Sequence, residues 1–244
     1  MTKIHSSVGA HRVALFALAG LTLFSATACQ RTNPATPAEP TAAAPGAVAS
    51  TPGALVAAPL AASEYFETLT EQAATATPAE LDTIIAQAKV AAARDGRLLQ
   101  PGPAGELALY LQVMDRARDS MARPDLAIAS IEAFRLFVSA GDGTAAIPVQ
   151  VSLLDYAGFR YAVDVSARPI RWDDAAVAAD YAAARWAEIE PRISDVGLKG
   201  RFGASVVGLK TAVHAHDSAD AGRRAKAELD LVDELETYFA PRPK

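Results

Sequence analysis

The sequence is poor in the residues on which catalytic and metal sites most often depend. It has one cysteine, Cys29, and four histidines, of which only His214 and His216 lie beyond residue 28. A single cysteine excludes a disulfide within the chain. The HExxH, P-loop and Gly-x-Ser-x-Gly patterns are also missing, so the chain lacks these zinc-protease, phosphate-binding and hydrolase signatures.

Long apolar runs are scarce as well. The longest covers residues 13–28, and its 16 residues would form a helix about 24 Å long. That length is short of the ~30 Å hydrocarbon core of a bilayer. Lys3 and Arg12 precede the run and small residues end it, which is typical of a secretory signal peptide. An ordinary secreted protein cut after Ala28 and an uncleaved anchor are the two alternatives.

The residues around the cysteine favour a third interpretation. Ala26-Thr27-Ala28-Cys29 resembles the lipobox of bacterial lipoproteins, in which small residues directly precede a cysteine that is acylated after cleavage. Ala26 stands where that family usually has leucine. The resemblance covers residues 1–30 and implies that residues 1–28 are a signal peptide and that Cys29 carries lipid. Attachment through two or more acyl chains is stable where attachment through one is not.

The residue after the cysteine bears on location. In the lipoproteins that this segment resembles, a glutamine such as Gln30, rather than an aspartate, favours transport to the outer membrane. The resemblance therefore implies a protein anchored by lipid in the bacterial envelope and facing the periplasm. It says nothing about the globular part of the chain.

Residues 29–62 form a segment rich in alanine and proline and almost free of charge. Prolines recur at positions 34, 37, 40, 45, 52 and 59, and this spacing predicts that no continuous helix forms. The segment is interpreted as a tether behind the acylated Cys29. Its reach would be roughly 30 Å as a coil and on the order of 100 Å when extended.

Basic residues are too few for a nucleic-acid partner. The chain has 23 basic and 28 acidic residues, and loss of Lys3 and Arg12 with the signal leaves 21 basic residues and a net charge of −7. Binding to a phosphate backbone needs clustered lysine and arginine. We therefore expect no nucleic acid, and we expect the acyl groups rather than a basic patch to hold the protein to the membrane.

The remaining chain predicts a single helical domain at residues 63–240, followed by a tail at 241–244. Thr77-Pro78-Ala79-Glu80 is a capping box with proline at the first helical position, and Ser218 is expected to cap the last helix. Only the residues after Pro148 alternate like a strand, and we expect an extended entry followed by a helix. The predicted fold is an all-α antiparallel bundle of about seven helices.

Two groups of side chains are candidates for binding. His214, His216 and Asp217 are candidate metal ligands, although two histidines two positions apart point about 200° apart around a helix. The alternative is that they favour the end of the helix electrostatically. Asp155, Tyr156 and Arg160 are candidates for a small-molecule pocket or for hydrogen bonds within the core. The sequence GxGxxA at 141–146 follows a helix rather than a strand, so it is interpreted as a turn.

Three functions remain for the domain. The first is a non-enzymatic binding or scaffolding domain for an envelope protein, with no cofactor. The second is a periplasmic protein that binds a metal ion or a small molecule through the candidates above. The third is an enzyme with a carboxylate site, such as a glycosidase, which needs two acids facing one cleft.

Mass spectrometry of the protein isolated from its native membrane tests the lipoprotein assignment. The expected N-terminal residue is Cys29 carrying acyl groups, because the lipobox directs both modification and cleavage. An unmodified N-terminus, or residues 1–28 still attached, would contradict it.

Overall fold

The computed structural model describes the backbone of residues 52–141 and 147–240, and side chains from residue 61 onward within those ranges. The signal segment, Cys29, most of the expected tether, residues 142–146 and the tail at 241–244 lie outside the described residues. Within the described part of the chain there are eight α-helices and no strand. The all-α prediction is confirmed, with one helix more than expected.

The helices follow one another through short connections, two of which contain a single 3₁₀ turn. Their bounds are α1 Pro52–Gln72, α2 Pro78–Asp95, α3 Pro101–Asp119, α4 Arg123–Ser139, α5 Val149–Ser166, α6 Trp172–Ile189, α7 Val196–His214 and α8 Ser218–Phe239.

The additional helix is α1, which begins inside the segment interpreted as a tether. It starts at Pro52, eleven residues before the expected domain boundary at residue 63. Proline at a first helical position costs no hydrogen bond, and Pro59 removes one amide donor without ending the helix. Ala62, Phe66 and Leu69 are fully buried. The prolines of the segment interpreted as a tether therefore did not prevent a helix from beginning at Pro52.

The eight helices pack as two groups of four. In the first group α1 contacts α2 and α4, and α3 contacts α4 and, less extensively, α2. In the second group α5 contacts α6 and α8, and α7 contacts the same two helices. Contacts between α4 and α5 join the groups. Helix α5 therefore has neighbours on three sides and lies at the centre of the domain.

The position of α5 explains the misleading pattern after Pro148. Only Pro148, the residue before the helix, is extended, and α5 begins at Val149, so the expected extended segment after Pro148 was wrong. Val151, Leu153 and Leu154 are all buried because different neighbouring helices cover different faces of α5. Burial on several faces removes the single apolar stripe by which a helix is usually recognised.

One of two predicted helix caps is confirmed, and the other lies one residue from its predicted position. The Thr77 side chain accepts a hydrogen bond from the Glu80 amide while the Glu80 carboxylate accepts one from the Thr77 amide at 2.7 Å, as the capping box predicts. The expected cap at Ser218 was wrong. His216 adopts a positive φ of 50°, and Asp217 instead accepts the hydrogen bond from the Asp220 amide at 2.9 Å.

Aromatic side chains fill the interior of each group. The rings of Phe66 and Phe137 stack between α1 and α4 with centroids 5.6 Å apart, and those of Trp186 and Phe202 stack between α6 and α7 at 4.5 Å.

Among the described residues, no helix is both long and apolar enough to span a bilayer.

Candidate functional site

Helix α5 carries ionisable side chains on two faces. On one face Tyr156, Arg160 and Asp164 meet Glu132 and Arg135 of α4. We call these five residues the Glu132 network. The other face carries Asp155, which lies near acidic residues of α1 and α8. The two faces differ in whether their charges are paired.

The Glu132 network is built around one carboxylate. One oxygen of Glu132, Oε1, accepts hydrogen bonds from the Tyr156 hydroxyl at 2.8 Å and from Arg160 at 2.6 Å. The other oxygen, Oε2, accepts from Nε of Arg135 at 3.0 Å. Nε of Arg160 also donates to Asp164 at 2.9 Å. Two guanidinium groups thus balance two buried carboxylates, as buried charges require.

Aromatic rings surround this network. The rings of Tyr156 and Tyr181 meet edge to face with centroids 5.3 Å apart. The guanidinium of Arg135 lies 5.8 Å from the Tyr156 ring, and that of Arg185 lies 5.2 Å from the Tyr181 ring. Burial, together with the charge of Glu132, raises the pKa of Tyr156 above its ordinary value. The tyrosine therefore remains a neutral hydrogen-bond donor.

The structure separates the residues predicted to line a small-molecule pocket. Tyr156 and Arg160 come together, but their polar atoms are taken by Glu132 and Asp164. Asp155 belongs to a different face because successive helical residues lie about 100° apart. Asp155, Tyr156 and Arg160 therefore do not form one group, and the alternative interpretation, hydrogen bonds within the core, describes Tyr156 and Arg160. Tyr156 and Arg160 connect α5 to α4.

A second cluster of acids lies where α1, α5 and α8 meet, and we call it the acidic cluster. Asp155 and Glu228 are buried, Glu67 is half-buried, and further carboxylates lie toward its edge. Its members are Glu67, Glu71, Asp155, Glu228, Asp233 and Glu236.

Glu228 is the most confined of these side chains. It is fully buried, and neither carboxylate oxygen has a hydrogen-bond partner among the described residues. It packs against Gly158 of α5, where a Cβ atom would overlap the Glu228 carboxylate and press on Leu229. Gly158 follows Asp155 by three positions, so both lie on one face of α5. Glycine at this position leaves the space that the carboxyl group occupies.

Burial and mutual repulsion favour the protonated forms in the acidic cluster. Burial raises the pKa of Glu228 well above its ordinary value. Burial, followed by the charges of Glu67 and Glu228, raises the pKa of Asp155 in the same direction. Burial and then Glu71 raise the pKa of Glu67 to about 7. The largest causes of these shifts are burial and neighbouring acidic side chains.

Glu132 of the Glu132 network and Glu228 of the acidic cluster were not identified from the sequence, although each leaves a signal there. Glu132 is the one charge in the apolar stretch from Leu126 to Phe134. Glu228 lies between Ala225 and Val232 at the spacing of a buried helical stripe. An acid inside such a stripe indicates a buried carboxyl group, but its partners are far away in the sequence.

The candidate metal ligands do not assemble around a common point. His214 and His216 are exposed, and the His216 ring lies against Trp172 with centroids 4.9 Å apart. Asp217 caps α8 through the Asp220 amide. In the described part of the chain, no group of three or more His, Cys, Asp or Glu side chains is arranged to hold a metal ion.

Comparison with known protein families, with curated proteins and with solved structures finds no significant match to this chain. The roles of these residues therefore follow from their own geometry and chemistry.

Replacement of Glu132 tests whether the Glu132 network holds α4 to α5. We expect Glu132→Gln to lower the free energy of unfolding by about 3 kcal/mol, because it removes one charge from a buried, paired group. Urea unfolding followed by circular dichroism measures the change.

Glu188→Gln is the matched control, since Glu188 pairs with Arg185 at the same three-residue spacing but is much more exposed. Its effect should stay below about 1 kcal/mol. Equal losses in the two variants would show that burial adds nothing to the Glu132 network.

Proposed function

We propose that this protein is a lipid-anchored lipoprotein of the bacterial envelope whose helical domain binds an envelope protein without catalysing a reaction. The lipobox-like sequence at Cys29 supports the anchor. An exposed apolar groove on the first helical hairpin, between α1 and α2, supports the binding role and is the observation that carries it.

The groove has an apolar floor and a narrow polar edge. Its volume is about 260 Å³, which is below the range typical of cofactor and drug-sized ligand sites. Val90 is 70% exposed although it belongs to this apolar surface. The lining residues are Tyr65 of α1 and Ala86, Gln87, Val90, Ala91 and Arg94 of α2.

The chemistry of the groove favours an apolar side chain presented by another protein. Covering Val90 and the adjoining alanines removes apolar surface from water, which drives association by roughly 25 cal/mol per Å². The Arg94 guanidinium is already paired with the Asp95 carboxylate at 2.6 Å, so the groove offers no free charge to bind a small anion. A tyrosine at the edge, here Tyr65, is a residue type enriched in protein interfaces.

The position of the groove in the chain suits an anchored binder. Helix α1 directly follows the alanine- and proline-rich residues 30–51, which we propose connect the lipid to the domain. The binding face on the first hairpin therefore lies close in sequence to the anchor. A protein of the same membrane or of the adjoining periplasm is the occupant that this arrangement favours.

A charge placed in the groove should remove the partner. We expect Val90→Asp to reduce recovery of crosslinked partner proteins at least tenfold, because the carboxylate must be desolvated in an apolar contact. The measurement is crosslinking in native membranes, affinity purification of the full-length lipoprotein and quantitative mass spectrometry.

Val177→Asp provides the control, since Val177 of α6 is 69% exposed and outside the groove. It should leave partner recovery unchanged. Recovery of the lipoprotein alone from the unsubstituted sample, or equal recovery from both variants, would contradict the proposal.

A further inference from the structure

The contact between α8 and α5 contains an ionisable side chain in its middle. The buried residues of α8 are Ala221, Ala225, Glu228, Val232 and Leu235. Four of these are apolar, and Glu228 lies between them against Gly158 of α5. A carboxyl group in this position is compatible with close packing only in its neutral form, because an ionised carboxylate without a partner is very costly to bury.

The groups around Asp155 and Glu67 add electrostatic repulsion to the cost of burial. Helix α1 contributes Glu64, Glu67 and Glu71, and α8 contributes Asp233 and Glu236. All of these are acids. Like charges brought together in a partly buried site repel one another, and the repulsion is relieved when protons bind.

Several basic residues of the neighbouring helices have partners outside the acidic cluster. On α8, Arg224 faces α7 at Gly208 and binds Asp220 at 2.6 Å, while Lys226 binds Asp230 at 2.6 Å. On α7, Arg201 is paired with Glu234 and Lys210 with Asp180.

Basic residues of the other helices near α5 and the end of α8 also have partners outside the acidic cluster. Arg135 of α4 and Arg160 of α5 belong to the Glu132 network, and Arg185 of α6 binds Glu188 at 2.8 Å. Arg192, in the turn after α6, lies over the Phe239 ring at 5.5 Å. These cations thus have partners outside the acidic cluster.

We propose that the acidic cluster is a proton-binding joint, at which α8 stays packed on α5 only while the carboxyl groups of Asp155, Glu228 and Glu67 hold protons. The proposal goes beyond the partner-binding role and does not depend on the groove. Its ligand is the proton itself, and it makes the docking of α8 respond to the pH of the surrounding compartment.

The direction of the response follows from linkage. The pKa of Glu67 rises from an ordinary 4.5 to about 7, and burial raises those of Asp155 and Glu228 in the same direction. Between the ordinary carboxyl pKa values and the raised ones, the folded chain holds more protons than the unfolded chain. Stability therefore falls as pH rises. The stabilisation is complete below the ordinary carboxyl values and is lost as pH rises through the raised ones.

Helix α8 is the element that should loosen first. Helix α1 also contributes acids, but it is held to α4 by the stacked rings of Phe66 and Phe137 and by a hydrogen bond from Ser130 to the Phe66 carbonyl at 2.7 Å. The buried face of α8 is made largely of alanine, valine and leucine around Glu228. Fewer large side chains therefore resist its separation from α5.

The test uses the full-length lipidated protein in detergent at pH 5 and pH 8. Urea unfolding should have a midpoint about 1 M lower at pH 8. Hydrogen exchange, corrected for the intrinsic effect of pH, should show at least a tenfold loss of protection in α8 and a smaller loss in α3. An equal or higher urea midpoint at pH 8, or uniform loss of protection, would overturn the proposal.

Neutral variants identify the groups responsible. Glu228→Gln should remove most of the difference between the two pH values, whereas Asp173→Asn, which neutralises an exposed acid on α6, should preserve it. Glu67→Gln, at a half-buried position, should reduce the difference even where Glu228→Gln folds poorly. An undiminished difference in Glu67→Gln and in any folded Glu228→Gln protein would also overturn the proposal.

Discussion

Burial of charge on α5 is the constraint on which the arrangement of this domain depends. Helix α5 contacts α4, α6 and α8 and links two groups of four helices. A helix in that position would ordinarily be apolar on every side. Instead it carries Asp155, Arg160 and Asp164, and each of these charges needs either a partner or a proton.

The two faces of α5 meet this requirement in different ways. Toward α4, the Glu132 carboxylate binds Tyr156 and Arg160 directly, which fixes how the two groups of helices meet. Toward α8, Asp155 and Glu228 lie together without a basic partner in the part of the chain that the structure describes. The first face gives a fixed connection, and the second makes packing depend on protonation.

Short-range sequence features predicted much of the fold. Contacts between residues far apart in the sequence could not be predicted in this way. The capping box at Thr77 and the buried face of α2 depend on neighbours within two turns, so their patterns are visible in the chain. The start of α1 at Pro52 was missed because recurring prolines predicted an irregular segment, whereas Pro52 at the first position and Pro59 are accommodated in the helix.

The candidate site shows the same limit. Tyr156 and Arg160 were identified as polar residues near one another, but their partner Glu132 is 24 and 28 residues away. Nothing in the spacing indicates that pairing. The sequence pattern could not separate Asp155 from Tyr156 and Arg160, because it does not position the helices that cover the faces of α5.

The most direct test of this account is a carboxyl ¹³C NMR titration that resolves Asp155 and Glu228 in the folded protein. Both should remain protonated to a higher pH than exposed carboxyl groups of the same chain, such as Asp173. Ionisation of Asp155 and Glu228 together with those exposed groups, while α8 stays packed on α5, would contradict it.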